Sequence, residues 1–265
     1  MGFIEHVGMQ PGYSLSGLLV GLLVGMTGVG GGSLMTPLLV LFFGIHPTTA
    51  VGTDLLFAAA TKTVGTTIHS AGKTVDWRIV RRLAMGSVPA TILCLAVIAY
   101  FGVASKTVTN LITLTLGVAL ILSSVTLMFK DGITHVIARL YPNFDQTNPL
   151  GLTVGVGFVL GILVSLSSVG AGALGTIALI ILYPRLPIVR IVGSDIAHAV
   201  PLTLLAGLGH WYLGTINFGL LGSLLVGSIP GIIIGSFTAR YAPEAVLKTL
   251  LSLILAVVGV KMLAK

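Results

Sequence analysis

Charge is what this sequence has least of. Asp, Glu, Lys and Arg make up 8% of its 265 residues, where a soluble domain carries about 25%. So few charges cannot clothe a water-facing surface, which excludes an ordinary soluble domain. Lipid is the natural solvent for a chain that is 55% hydrophobic. There is one cysteine, Cys94, inside an apolar run, so an intrachain disulfide is excluded and simple packing suits the residue. Ahead of the first apolar run stand Glu5 and His6 but no Lys or Arg, so the positive region of a signal peptide is missing. No lipidation motif is visible. The patterns HExxH, GxSxG and the full P-loop GxxxxGK[ST] are missing too, Gly72-Lys73-Thr74 having Thr67 where a P-loop has its first glycine, and six His with one Cys show no metal-ligand spacing. Those absences argue against an enzyme, a resident metal or cofactor, and direct drive by ATP.

What is there is apolar and rich in glycine, with 35 Gly spread through the hydrophobic runs, a composition that membrane helices tolerate and use for close packing. The net charge of +7 sits in short loops between those runs. Positive charge there fixes topology, and no nucleic-acid partner is implied. Six apolar stretches have ordinary spanning length of about 20 residues: 48–71, 82–101, 106–128, 190–213, 218–238 and 243–263. Residues 14–43 and 151–183 are longer, and each is broken near its middle, at Thr27-Gly28-Val29-Gly30-Gly31-Gly32-Ser33 and at Ser167-Ser168-Val169-Gly170-Ala171-Gly172-Ala173.

These breaks open an internal repeat. Gly21, Val29, Gly30, Gly32 and Leu34 recur as Gly161, Val169, Gly170, Gly172 and Leu174, an offset of 140. After one inserted residue the offset is 141. Gly52 and Asp54 match Gly193 and Asp195, His69 matches His210, Val75-Asp76-Trp77 matches Ile216-Asn217-Phe218, and Gly86-Ser87-Val88-Pro89 matches Gly227-Ser228-Ile229-Pro230. Shared apolar composition does not place Asp, His and Pro in one register over such a length. The domains read as an N-terminal half, 1–128, a cytoplasmic linker, 129–149, and a C-terminal half, 150–265.

Loop charge bears on orientation. If both long segments are re-entrant hairpins, each half crosses three times and the halves are inverted. Lys73, Arg78, Arg81, Arg82, Lys130, Arg139, Arg185, Arg190, Arg240 and Lys248 then share one side, against Lys106, Lys261 and Lys265 on the other. Single crossings divide the cations far more evenly, so the positive-inside rule favours the hairpins. Each hairpin arm would have about 12 to 15 residues, too few to span. The expected fold is thus an all-α polytopic membrane protein of two homologous, inverted halves, each a broken hairpin plus three transmembrane helices. Interrupted hydrophobic segments at matched positions are a pointer to a transporter binding site.

Several residues carry the chemistry of such a site. At a hairpin tip the second arm begins with free N–H groups and the positive end of its dipole. Gly30, Gly31 and Gly32, with Ser33 as cap, would let an anion approach backbone amides, as would Ser168, Gly170 and Gly172 in the second tip. The bland alternative is that these glycines only permit tight packing. Lys62 lies deep in the 48–71 stretch, where a charge costs about 2.5–3.5 kcal/mol and usually faces a cavity or partner. Its counterpart is Thr203, so one half alone has this cation. Thr53 and Ser194 are expected to line the path. Asp54 and Asp195 either complement the first turn of their helices or carry coupling. The matched His69 and His210 are candidates for coupling or gating, or polar tips at the interface. His198 has no partner in the repeat, because Phe57 stands there.

The segment GLLVGMTGVGGGSLMTP from Gly21 to Pro37, followed by His46-Pro47 and Ala50-Val51-Gly52-Thr53-Asp54, resembles the sulfite exporter TauE/SafE family. Ser168 to Gly172 and Val192-Gly193-Ser194-Asp195 are similar to that family's second half, with Ala171 and Ala173 replacing Gly31 and Ser33 of the first tip. The resemblance implies a multi-pass permease of the cell (inner) membrane, in a family associated with sulfur-containing anions such as sulfite and sulfonates. The expected function is secondary transport of a small anion, with a proton or sodium ion as coupling partner and a homo-oligomer left open. An anion channel, or a membrane-embedded subunit or enzyme without transport activity, is the rival expectation.

Overall fold

In a computed structural model, residues 11–27, 32–71, 73–140, 149–238 and 244–264 are described. They form ten helices and, among the described residues, no strand. The first half holds α1 (Pro11–Thr27), α2 (Gly32–Leu41), α3 (Pro47–Ala71), α4 (Trp77–Phe101) and α5 (Lys106–Leu140). The second holds α6 (Leu150–Ser167), α7 (Ala173–Leu182), α8 (Ile188–Tyr212), α9 (Phe218–Thr238) and α10 (Glu244–Leu263).

Among the described residues, six helical segments are long and apolar enough to cross a membrane: Trp77–Phe101, Lys106–Phe129, Leu150–Ser167, Ile188–Tyr212, Phe218–Gly235 and Val246–Leu263. The chain is therefore an all-α, multi-pass membrane protein. Aromatic residues project outward at helix ends, among them Trp77, Tyr100, Phe101, Trp211, Tyr212 and Phe218, as expected of the belt where a bilayer meets water. The set of six differs from the sequence expectation at one place. It includes α6 and omits α3, whose apolar run is diluted by Asp54, Lys62 and a series of threonines. Much of α3 from Ala50 to Ala59 is buried inside the protein, so its polar side chains need not meet lipid.

Both long segments are hairpins with arms less equal than the sequence suggested. Their first arms, α1 and α6, have 17 and 18 residues and their second arms, α2 and α7, have 10 each. In the second hairpin the Thr153 and Tyr183 hydroxyls meet at 2.8 Å, joining the first turn of α6 to the end of α7. The chain therefore turns back between them. In the first hairpin Tyr13 and Phe43, the counterparts 140 positions earlier, bring their ring centroids to 4.8 Å. The second tip turns through Ser168 at φ 60, Gly170 at φ 126 and Gly172 at φ 121. The last two angles suit glycine and few other residues, which explains why glycine is kept there. Gly30 and Gly31 of the first tip lie outside the described residues. Helix α2 starts at Gly32, one residue before the Ser33 expected as its cap, a shift within the usual ambiguity of helix ends.

The halves interlock. Helix α1 lies on α9 and α6 lies on α4, each seam running through glycines. A Cβ on Gly21 would stand 2.5 Å from the Ser228 carbonyl oxygen, and one on Gly161 would stand 2.7 Å from that of Ser87. Gly227 meets the Ser14 carbonyl as Gly86 meets that of Val154. Positions related by the repeat thus meet positions related by the repeat. Contacts of Leu83, Ser87 and Thr91 with Gly157, Gly161 and Ser165 run in one direction, so α4 and α6 are parallel.

Helices equivalent by sequence run opposite ways. Gly52 faces His210, Leu56 faces Gly207 and the Thr66 hydroxyl donates to the Ile196 carbonyl, so α3 and α8 are antiparallel. Gly117 faces Leu263, Gly259 faces Ile121 and the Ser124 hydroxyl donates to the Ser252 carbonyl at 2.7 Å, so α5 and α10 are antiparallel too. Helix α5 kinks at Phe129 (φ −109, ψ 17) and continues to Leu140, so the first part of the stretch read as linker is helical. Residues 141–148 lie outside the described residues.

Candidate solute-binding site

The matched segments Val75-Asp76-Trp77 and Ile216-Asn217-Phe218 start helices. Asp76 caps α4 by accepting from the Arg78 N–H at 3.0 Å, and Asn217 accepts from the Leu220 N–H at 3.0 Å at the start of α9. Side-chain oxygens suit this position because the first N–H groups of a helix have no internal partner. The N–H of each capping residue reaches the other half. Asp76 N–H donates to Ser194 Oγ at 2.8 Å, and Asn217 N–H donates to Thr53 Oγ1 at 3.2 Å. Thr53 and Ser194, expected to line a path, are thus engaged by the loops that close each end of the α3–α8 pair.

The two aspartates sit deeper than a first turn. Each is the eighth residue of its 25-residue helix and is fully buried. Thr36 Oγ1 of α2 donates to Asp54 Oδ2 at 2.5 Å, and Thr176 Oγ1 of α7 donates to Asp195 Oδ2 at 3.0 Å. These pairs are equivalent by the repeat. Each short arm thus carries a hydroxyl bonded to a carboxylate of the protein's own. A second oxygen on each, Oδ1, is buried and has no hydrogen-bond partner among the described residues. Desolvating an unpaired carboxylate oxygen is costly, so two such atoms at matched positions mark a site.

Lys62 is the one buried Lys or Arg among the described residues. Its Nζ donates to the Ala171 carbonyl at 3.3 Å, at the second tip. In the antiparallel register of α3 and α8 it lies between Asp54 and Asp195, near enough to act electrostatically on both. Ser168 of the same tip approaches Asp54. The tip thus passes along a row of carboxylate, ammonium and carboxylate. Of the sequence candidates, Lys62, Asp54, Asp195, Ser168, Gly170 and Gly172 come together. Side chains of Gly32, Ser33 and His69 are outside the described set, although their backbones belong to α2 and α3.

His210 stands apart from the tip. Its ring nitrogens meet the Thr215 hydroxyl at 3.0 Å and the Ser165 carbonyl at 3.1 Å, so both are engaged in tying α8 to its following loop and to α6. Residues not foreseen are Thr36, Thr176 and the pair Ser87–His198. The threonines carried a signal, since 36 and 176 differ by the repeat offset. His198 carried none, because its counterpart is Phe57.

Compared with known proteins, residues 13–262 match the sulfite exporter TauE/SafE family. The chain belongs to that family. It is 38% identical over 260 residues to the "Probable membrane transporter protein YjnA" of Bacillus subtilis (strain 168), covering 96% of this chain and 100% of the relative. Proteins YdhB and YunE of the same organism, named in the same way, are 27% and 24% identical, covering 92% and 93% of this chain and 96% and 94% of their own. No solved structure matches. This TauE/SafE protein is accordingly a membrane transporter and not an enzyme.

Proposed function

We propose that the protein is a secondary transporter of a small anion, a sulfur oxyanion or organosulfonate, in the cell membrane. The observation that carries this reading is Lys62, an ammonium buried in the helical interior against the second hairpin tip. Lys62 is the one buried Lys or Arg among the described residues, and an ammonium held at a hairpin tip inside a membrane protein suits an anionic solute. Backbone amides at Gly30 to Ser33 in the first tip, and the Ser168 hydroxyl with the backbone around Gly170 and Gly172 in the second, complete the seat. Antiparallel α3/α8 and α5/α10 support halves of opposite topology, the architecture in which alternating access follows from exchanging the states of two repeats.

Charge balance argues for a coupling ion. With both carboxyls ionised the row of two carboxylates and one ammonium is net negative, and a bound anion makes it more so. A proton or sodium ion taken up at Asp54 or Asp195, each with an open Oδ1, offsets that charge during transport. In this scheme His69 and His210 are left to gating or to structure.

The test is flux of radiolabelled sulfite into proteoliposomes. Wild-type protein is expected to give saturable uptake with counterflow, and Lys62→Ala is expected to abolish it while keeping a folded, monodisperse protein. Undiminished flux in that variant removes Lys62 from the scheme. A large single-channel conductance would identify a channel instead.

A further inference from the structure

The repeat that organises this transporter fails at one level of the site. Lys62 of α3, Ser87 of α4 and His198 of α8 belong to that level, and their counterparts 141 positions away are Thr203, Ser228 and Phe57. None of the counterparts does equivalent chemistry. Thr203 Oγ1 donates to its own helix, at the Ala199 carbonyl 2.8 Å away. Phe57 is a buried apolar ring, and the Ser228 hydroxyl has no partner among the described residues. The polar groups are gathered on one side of an otherwise symmetric pair of helices.

His198 is fully buried. Its Nε2 is 2.9 Å from Ser87 Oγ, and its Nδ1 has no hydrogen-bond partner among the described residues. Ser87 Oγ meets only His198 there, so its one hydrogen is available to Nε2. With the Nε2 lone pair accepting, the ring proton resides on Nδ1. The same 2.9 Å contact accommodates Nε2–H donating to Ser87 Oγ, which would make Nδ1 an acceptor. In the first form Nδ1–H is a buried donor lacking an acceptor. Proteins leave few such groups, and those they leave call for a reason. Lys62 lies at the same level in the antiparallel register of α3 and α8, and its Nζ reaches the second tip.

We propose that His198 Nδ1–H and Lys62 Nζ together seat the oxygen-bearing anionic group of the solute, off the symmetry relation and beside the tip at 168–172. The proposal rests on the anion reading above and deepens it. It names a solute group with two or more acceptor oxygens, able to receive both donors at once, and it assigns Ser87 as the residue that holds the imidazole in the donating tautomer.

The experiment is calorimetric titration of the purified full-length protein with sulfite and with methanesulfonate. His198→Asn places an amide near the position of Nδ1. His198→Gln places one near Nε2, keeping the Ser87 partner and losing the donor that faces the solute. The Gln variant is expected to weaken Kd by about tenfold or more, as for loss of a hydrogen bond to a charged group, while Asn keeps it within about threefold. Melting temperatures without ligand identify any variant that fails to fold. Ser87→Ala is then the second variant, expected to weaken binding severalfold while lowering that melting temperature by no more than the loss of one buried hydrogen bond. Wild-type affinity in His198→Gln or in Ser87→Ala overturns the proposal, as do equal losses in Asn and Gln, which would report packing alone. If wild-type protein binds neither probe, the anion reading itself falls and this proposal with it.

Discussion

Asp76 and Ser194 are joined across the two halves: the Asp76 N–H donates to the Ser194 hydroxyl at 2.8 Å. The loop that leaves α3 is thereby fastened to the beginning of α8. Asn217 and Thr53 repeat the arrangement at the other end of the same helix pair. Because α3 and α8 are antiparallel, the two fastenings lie at opposite ends of the row that contains Lys62.

Opposite ends predict opposite sides of the membrane. In a Cys94→Ala background, Lys73→Cys and Gly214→Cys place single thiols in the two loops. An impermeant thiol reagent added to intact cells is expected to label one of them, and added to inverted vesicles the other. Labelling of both from the same side would reject inverted topology.

The fastenings also predict where access opens. Ser194→Ala removes the acceptor from one loop and leaves the other intact. It is expected to speed labelling at Lys73→Cys by severalfold with no change at Gly214→Cys, and Thr53→Ala is expected to do the reverse. Equal rates in all variants would show that these bonds do not control either entrance.

Thr36 and Thr176 should be equivalent in effect. Each supplies the hydroxyl that satisfies one oxygen of a buried aspartate. Losing a hydrogen bond to a buried charged group costs about 1.5–3 kcal/mol. Thr36→Ala and Thr176→Ala are expected to lower the melting temperature in detergent by similar amounts, with Thr→Ser restoring most of it. A large drop in one and none in the other would show that the pairs are not equivalent.

The glycine seams give a packing prediction with an internal control. A Cβ at Gly86 or Gly227 would collide with the carbonyl oxygen of Val154 or Ser14, which is backbone and cannot step aside. Gly222 has open space around its Cβ position. Overpacking costs about 1–3 kcal/mol, so Gly86→Ala and Gly227→Ala are expected to destabilise and Gly222→Ala to be neutral or slightly stabilising. Thermal melts of the three variants decide it.

His210 is predicted to matter for stability more than for transport. Both ring nitrogens are engaged, so His210→Ala strands the Ser165 carbonyl at a cost of about 1–3 kcal/mol, while the Thr215 hydroxyl keeps its bond to the His210 backbone carbonyl. Flux per folded molecule is expected to stay within about threefold of wild type, a change under 1 kcal/mol in barrier. A complete loss of flux in a stable variant would restore a coupling role.

Much of the fold was legible because a duplication writes its own register. Matched Asp, Pro and Gly positions located the equivalent helices, and the Gly-rich breaks located the two hairpins. Arm lengths were harder to read. The break stands near the middle of the apolar run, but α1 and α6 begin in residues that read equally well as flanking loop, such as Pro11 and Leu150. Candidate site residues divided by a different rule. Lys62, Asp54 and Asp195 stood out because charge is rare in this chain. Thr53 and Ser194 looked like path-lining hydroxyls, yet their partners are backbone N–H groups 164 and 118 positions away, a distance over which periodicity is silent. His198 was hidden for the opposite reason. A repeat draws attention to what recurs, and this histidine differs from its counterpart.

Helix α1 rests on α9 and α6 on α4, so each half lends its opening helix to the other. A gene encoding only residues 1–128 would produce a chain whose glycine-lined α1 had no mate of its own. In the inverted topology proposed for the halves, two such chains would cover each other only by inserting in opposite senses, as an antiparallel homodimer. Fusing two copies into a single polypeptide removes that requirement for mixed insertion. It also leaves each copy free to mutate by itself, and the presence of Lys62 and His198 on one side alone records that freedom.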